Sequence, residues 1–211
     1  MATGRLIEPV KNNKDKQNTY RYLTGRHTRA MKCGFYFEAM LIDYAMIEDR
    51  FLSLLYHLGI KKSRASYKFD NTPLKSLYSS LVQKYLPKES KTLNINSISG
   101  KMRLINAVAL WAEDDYPGAD SNEYLALLWS IFQKDTADPQ DLQQLINDVR
   151  DWCDYRNEII NASLNKNLDS ISEKIAEKAA EGMELARRTD AFVKVFKYGN
   201  KFRRYLKLGK N

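Results

Sequence analysis

The stretch DPQDLQQLINDVRDWCDYRNEIINA, residues 138–162, carries its apolar residues at helical spacing. Leu142, Leu145/Ile146, Val149, Trp152/Cys153 and Ile159/Ile160 fall on one stripe of a 3.6-residue period. Asp138 before Pro139 is a start signal, a side-chain acceptor followed by a ring whose φ already suits a first turn. Arg156 continues the stripe, with Trp152 and Cys153 one turn before it and Ile159 and Ile160 one turn after. A guanidinium on such a line is costly unless it meets an anion, another chain or a solvent pocket. Asn157 and Asn161 stand at i and i+4 and share the adjacent face. One cation and two carboxamides are thereby gathered near a helix end. The plain alternative is an Arg paired with a core carboxylate and Asn residues that cap the helix.

Outward from this helix the chain continues in the same idiom. Toward the C-terminus, Asn161 to Asn167 is an Asn-rich break. A long helix from about Leu168 to Phe196 follows, burying Ile171, Ile175, Ala179, Met183, Ala186 and Val193. Gly182 in its middle carries a helix-propensity penalty, which predicts a close helix crossing there. Toward the N-terminus, helices are expected over about Asn122–Gln133, Ser99–Asp114 and a short span between Asn71-Thr72-Pro73 and Pro87. The first long helix is expected from about Arg29 to Leu58, with Gly59 as its stop. No strand-length alternation occurs. The expectation is an all-α, single-domain helical bundle of about six helices.

With 211 residues, 44% hydrophobic and 28% charged, the chain can bury a substantial core. No apolar run reaches the roughly 18 to 20 residues of a membrane span, and Met1 to Lys16 lack a secretion signal's apolar segment. The reading is therefore a cytoplasmic protein without a membrane partner. Cys33 and Cys153, both in apolar patterns, read as reduced core thiols. The net charge of +8 is unevenly held. Residues 1–32 have eight Lys/Arg against two acids, and residues 198–211 have five Lys/Arg and no acid. The rest is slightly acidic. The expected organisation is a basic arm over 1–28, a bundle over 29–197 and a basic tail over 198–211. Both arms interleave aromatics, Tyr20 and Tyr22 in one and Phe202 and Tyr205 in the other. Cations attract phosphate and aromatics stack on unpaired bases, so Lys11, Lys14, Arg21, Arg26, Lys201, Arg203 and Arg204 are candidate RNA contacts. The simpler alternative is a pair of solubilising tails or inter-subunit clips.

Arg156-Asn157 with a polar side chain at 161 resembles the R-N-x-x-x-H signature of the HEPN superfamily, helical proteins of which many are RNA-cutting toxins and defence nucleases. The likeness extends to layout over roughly residues 30–197, since that family has a compact bundle with two long antiparallel helices. Its motif lies near the end of a late helix, with one more helix after it. The resemblance implies a metal-independent endoribonuclease without cofactor, its composite site formed where two protomers meet, and a possible antitoxin or defence-system partner protein. Arg156 becomes the motif arginine, Asn157 its polar neighbour, and Asn161 takes the histidine position. An imidazole suits deprotonation of a 2′-hydroxyl and protonation of a leaving 5′-oxygen, and the arginine fork suits charge on phosphorus oxygens. A carboxamide cannot move protons, so Asn161 implies a loss of about 10²- to 10⁴-fold. The residue is open to two accounts, a natural non-catalytic member or a replaced histidine.

Two other readings remain, a non-enzymatic HEPN-like module that binds RNA, a nucleotide or a protein, and a helical scaffold with a coincidental motif. His27 and His57 read as surface residues. Asp43, Arg50 and His57 recur every seven residues and suggest a dimer seam or a shell around Arg156, or else polar residues at the rim of a core stripe. Phosphate loops, Cys/His metal spacings and nucleophile–His pairs are missing from the sequence.

Overall fold

A computed structural model of the chain describes residues 13–60, 72–89, 95–114, 123–133, 137–162 and 169–198. Those residues form seven helices and one short 3₁₀ turn, with no strand among them. They are α1 (Asn13–Lys32), α2 (Tyr36–His57), α3 (Thr72–Tyr85), α4 (Ile98–Glu113), α5 (Glu123–Gln133), α6 (Pro139–Ala162) and α7 (Asp169–Tyr198), with the turn at Pro87–Glu89. The all-helical expectation holds. None of these helices is long and apolar enough to cross a membrane.

The first long helix differs from the reading of the sequence. Two helices occupy the N-terminal region, because the chain turns at Cys33-Gly34. Gly34 has φ of 76°, its amide donates to the Met31 carbonyl, and the Phe35 amide reaches back to the Ala30 carbonyl at 2.8 Å. The same closure ends α2: Gly59 has φ of 74°, its amide donates to Tyr56, and the Ile60 amide donates to Leu55. This left-handed glycine cap satisfies carbonyls that a helix end otherwise leaves open. The stop at Gly59 was legible; the equivalent at Gly34 was hidden inside an apolar run. Residues 13–28, read as arm, are therefore helical and lie against the bundle through Tyr20, Leu23 and His27. Two helix starts carry side-chain caps, one at the Asp138 signal read from the sequence and one at Ser97, two residues before the expected Ser99 start. Asp138 Oδ1 accepts from the Gln140 amide, and Ser97 Oγ accepts from the Gly100 amide.

Helix α2 is the centre of the bundle, packed on α1, α4 and most extensively on α7. Its partners fix the directions. Arg26 of α1 pairs with Glu38 and Lys16 with Asp49, so α1 and α2 are antiparallel. Trp152 of α6 meets Lys178 while Asp148 meets Arg188, so α6 and α7 are antiparallel as well. Between the two hairpins, Asp43 lies at Gly182 and Arg50 at Asp190, so α2 and α7 run parallel. The crossing is tightest at Gly182. A Cβ built there would stand 2.6 Å from Trp152 Cζ2 and 2.8 Å from Asp43 Oδ2, so only glycine fits. Trp152 Nε1 donates to the Lys178 carbonyl at 2.7 Å, which fixes the ring over that gap.

Candidate functional site

Helix α6 brings its last two turns to the edge of α2. Arg156 is half-buried there, its guanidinium carbon 4.1 Å from the centroid of the Tyr44 ring. A cation over an aromatic face at this distance is held electrostatically while its outer donors stay free to bind. Arg156 Nη1 donates to Asn157 Oδ1 at 3.0 Å, and Nε is buried with no hydrogen-bond partner among the described residues. No carboxylate of the described residues pairs with Arg156. Among the described residues, then, Arg156 has no core carboxylate as its partner. Asn157 and Asn161 are both exposed on this helix end.

The neighbours set the chemistry of the site. Burial pushes the Cys153 thiol up to about 12, against the pull of Arg156, so it is protonated and a poor nucleophile. The Tyr44 hydroxyl is also raised, first by burial and then by Glu48 and Cys153, so it is a neutral phenol at pH 7. Arg156, Asn157 and Asn161 include no group that gains or loses a proton near neutrality. They can bind and orient an anion but cannot shuttle protons. Among the described residues no His/Cys/Asp/Glu group could hold a metal ion.

Two features beside this face escaped the sequence. Phe37 and Leu41 are 39% and 41% exposed, and with Ala45 they line α2 at helical spacing beside Tyr44. Lys101 of α4 is fully buried, its Nζ 2.7 Å from Glu48 Oε1 and 3.2 Å from the Asn96 carbonyl. A lysine in the middle of an amphipathic helix gives no sequence signal of burial, because its long stem can equally snorkel to solvent.

The polar residues of α2, and His27 of α1, read otherwise than expected. Asp43, His57 and His27 are buried, and Arg50 pairs with Asp190 at 3.0 Å while its guanidinium covers the Tyr20 ring. This is interior packing. It is neither a dimer seam nor a shell around Arg156, and the two histidines are not surface residues. His27 Nε2 stands 3.3 Å from Asp43 Oδ2 and 3.5 Å from the Ala179 carbonyl. Burial raises the Asp43 carboxyl to about 8. Burial lowers His27, helped by Arg187 and opposed by the Ala179 carbonyl. The two groups hold one proton between them at neutral pH. Cys33, read as a core thiol, is exposed at the α1–α2 turn; Cys153 is buried as read.

Of the candidate RNA contacts, Lys14 and Arg21 are exposed on α1, and Arg26, also exposed, is tied to Glu38. Lys11, Lys201, Arg203 and Arg204 lie outside the described residues. Comparison with protein-family models, with curated proteins and with solved structures gave no match.

Proposed function

We propose that this chain is a HEPN-like RNA-directed protein of a toxin or antiphage-defence system, in which Arg156, Asn157 and Asn161 form an RNA-phosphate site. Its reaction type is metal-independent endoribonucleolysis, with Asn161 in the histidine position leaving this chain inactive or severely impaired. The observation that carries the reading is the Arg156 guanidinium, paired with no carboxylate of the described residues and laid on the Tyr44 ring beside two exposed carboxamides. A bidentate donor fork held ready for an anion is the form expected of a phosphate contact. The exposed Phe37–Leu41–Ala45 line beside Tyr44 supports a homodimer whose two motifs meet, because aromatic and aliphatic side chains left in water are stabilised by a second subunit.

A second reading is favoured by the absence of any titrating group among the three motif residues: a module that binds RNA without cutting it. One assay separates the two. RNA cleavage without added metal is compared for this chain, Asn161→His and Asn161→His/Arg156→Ala. The nuclease reading expects cutting by Asn161→His alone, faster than this chain by about 10²- to 10⁴-fold. RNA binding with no cutting by any variant leaves the binding module in its place.

A further inference from the structure

Helix α1 turns Lys16, Tyr20, Leu23, His27 and Ala30 toward the bundle, and leaves Lys14, Asn18, Arg21, Tyr22, Gly25, Arg29 and Lys32 exposed along the opposite face. Asp15 is the only acid in the helix. Lys16 and Arg26 are engaged by Asp49 and Glu38, while no acid of the described residues pairs with Lys14, Arg21, Arg29 or Lys32. These four cations span ~27 Å of helix at 1.5 Å per residue.

Two residues at the middle of this stripe are not explained by the fold. Tyr22 is 62% exposed, with the Arg26 guanidinium carbon 6.0 Å from its ring centroid. Tyr20, by contrast, is spent on the interior: its hydroxyl donates to Asp49 at 2.6 Å and Arg50 covers its ring. Gly25 sits in mid-helix without a positive φ, and a Cβ built on it would meet nothing within 4 Å. At Gly182 the packing demands glycine; at Gly25 neither packing nor backbone does, although glycine weakens a helix interior. What Gly25 does provide is a gap in the outer surface. Arg21 and Arg29 stand one turn to either side of it, and Tyr22 lies next to it at i−3.

We infer that this face of α1 is a seat for single-stranded RNA, in which a base stacks on Tyr22 over the gap at Gly25 while Arg21 and Arg29 hold flanking phosphates. It rests on the reading of the chain as an RNA-directed protein and adds where and in what form the RNA is held. Stacking requires an unpaired base, and the backbone contacts are indifferent to sequence, so single strands are preferred over duplex. The seat is a positioning surface, apart from the residues that would do chemistry.

The test is fluorescence-anisotropy titration with a fluorescein-labelled oligouridylate of about 12 nucleotides, within the site sizes of single-strand binders, and with an RNA duplex of the same length as competitor. Tyr22→Ala is expected to weaken binding roughly 5- to 150-fold, as loss of one stacked base does, and Tyr22→Phe to restore it. Gly25→Gln fills the gap, so it should weaken binding while raising Tm, two effects a merely structural glycine would not combine. Arg21→Gln should reduce the steepness of the log–log salt dependence by about 0.7. All three positions are exposed, so these variants keep the fold. Wild-type affinity in both Tyr22→Ala and Gly25→Gln overturns the seat, and so does equal affinity for the duplex. If binding instead falls only in Arg156→Ala, the seat is overturned and the Arg156 reading stands. Loss in the α1 variants without cutting by Asn161→His upholds the seat and removes the nuclease. A wild-type chain that binds neither probe overturns both.

Discussion

Replacing Asp43 with Asn should abolish a specific alkaline loss of stability. Asp43 has no exposed surface, neither carboxylate oxygen has a hydrogen-bond partner among the described residues, and burial raises its pKa to about 8. The folded pKa lies above the unfolded one, so folding retains a proton there, and the stability it represents is lost as pH rises toward 8. His27 works in the other direction, since its folded pKa lies below the ordinary 6.5. From its folded pKa up to 6.5 the two effects cancel. In that range the unfolded chain keeps one proton on His27, and the folded chain keeps one on Asp43. Above pH 6.5 the unfolded pair holds none while the folded pair still holds one. The slope is then about 1.4 kcal/mol per pH unit over about 1.5 pH units, a loss of ~2 kcal/mol that levels off above pH 8. Only the number of bound protons enters the slope, so it is the same whichever of the two groups carries the retained one. Urea denaturation followed by circular dichroism at pH 6.5, 7.5 and 8.5 measures the slope. The wild type should lose ~2 kcal/mol across that range and Asp43→Asn should lose almost none. An equal loss in Asp43→Asn, or a flat wild-type profile, would refute the placement of a protonated pair inside the α1–α2–α7 junction.

Gly182→Ala should destabilise the fold by about 1–3 kcal/mol through overpacking against Trp152 and Asp43, despite the better helix propensity of alanine; a Tm at or above wild type would mean that the crossing is looser than described. Thiol titration of the native protein with a disulfide reagent at pH 8 should modify Cys33 and spare Cys153, whose thiol is buried and raised to about 12. Rapid labelling of both would show that the helix end bearing Arg156 opens readily.

Most of the bundle could be read from periodicity and punctuation. The apolar stripe and Asp138-Pro139 start set α6 almost to the residue, and Gly59 marks the end of α2. Position 34 was harder, because its glycine lies between Cys33 and the aromatic run Phe35-Tyr36-Phe37, which continues a helical pattern across the turn. The candidate site was legible as a cluster on one helix. Its support was not, because Tyr44 lies on another helix more than a hundred residues away and nothing in its local pattern selects it over Tyr36 or Tyr56. Polar residues were the systematic difficulty. His27, Asp43 and His57 look like surface residues in a helix, and only the arrangement of four helices puts them inside. A buried carboxyl that keeps its proton behaves as an apolar group, and sequence alone assigns it a charge.

The parallel seating of α2 on α7 has a consequence for the order of events on the ribosome. Residues 43 and 182, or 50 and 190, can meet only after the chain between them has been made, whereas the α1–α2 and α6–α7 hairpins close locally. At synthesis rates of about 5–20 residues per second, α2 waits roughly 7–28 s for its principal partner. During that interval Gly182 and Trp152 are not yet there to close over Asp43. Arrival of α7 excludes water from the carboxyl, and burial is what raises its pKa. Relative to the unfolded chain the closed bundle holds one more proton above pH 6.5, so mildly alkaline conditions should favour open states, with the inner face of α2 uncovered, over the closed bundle.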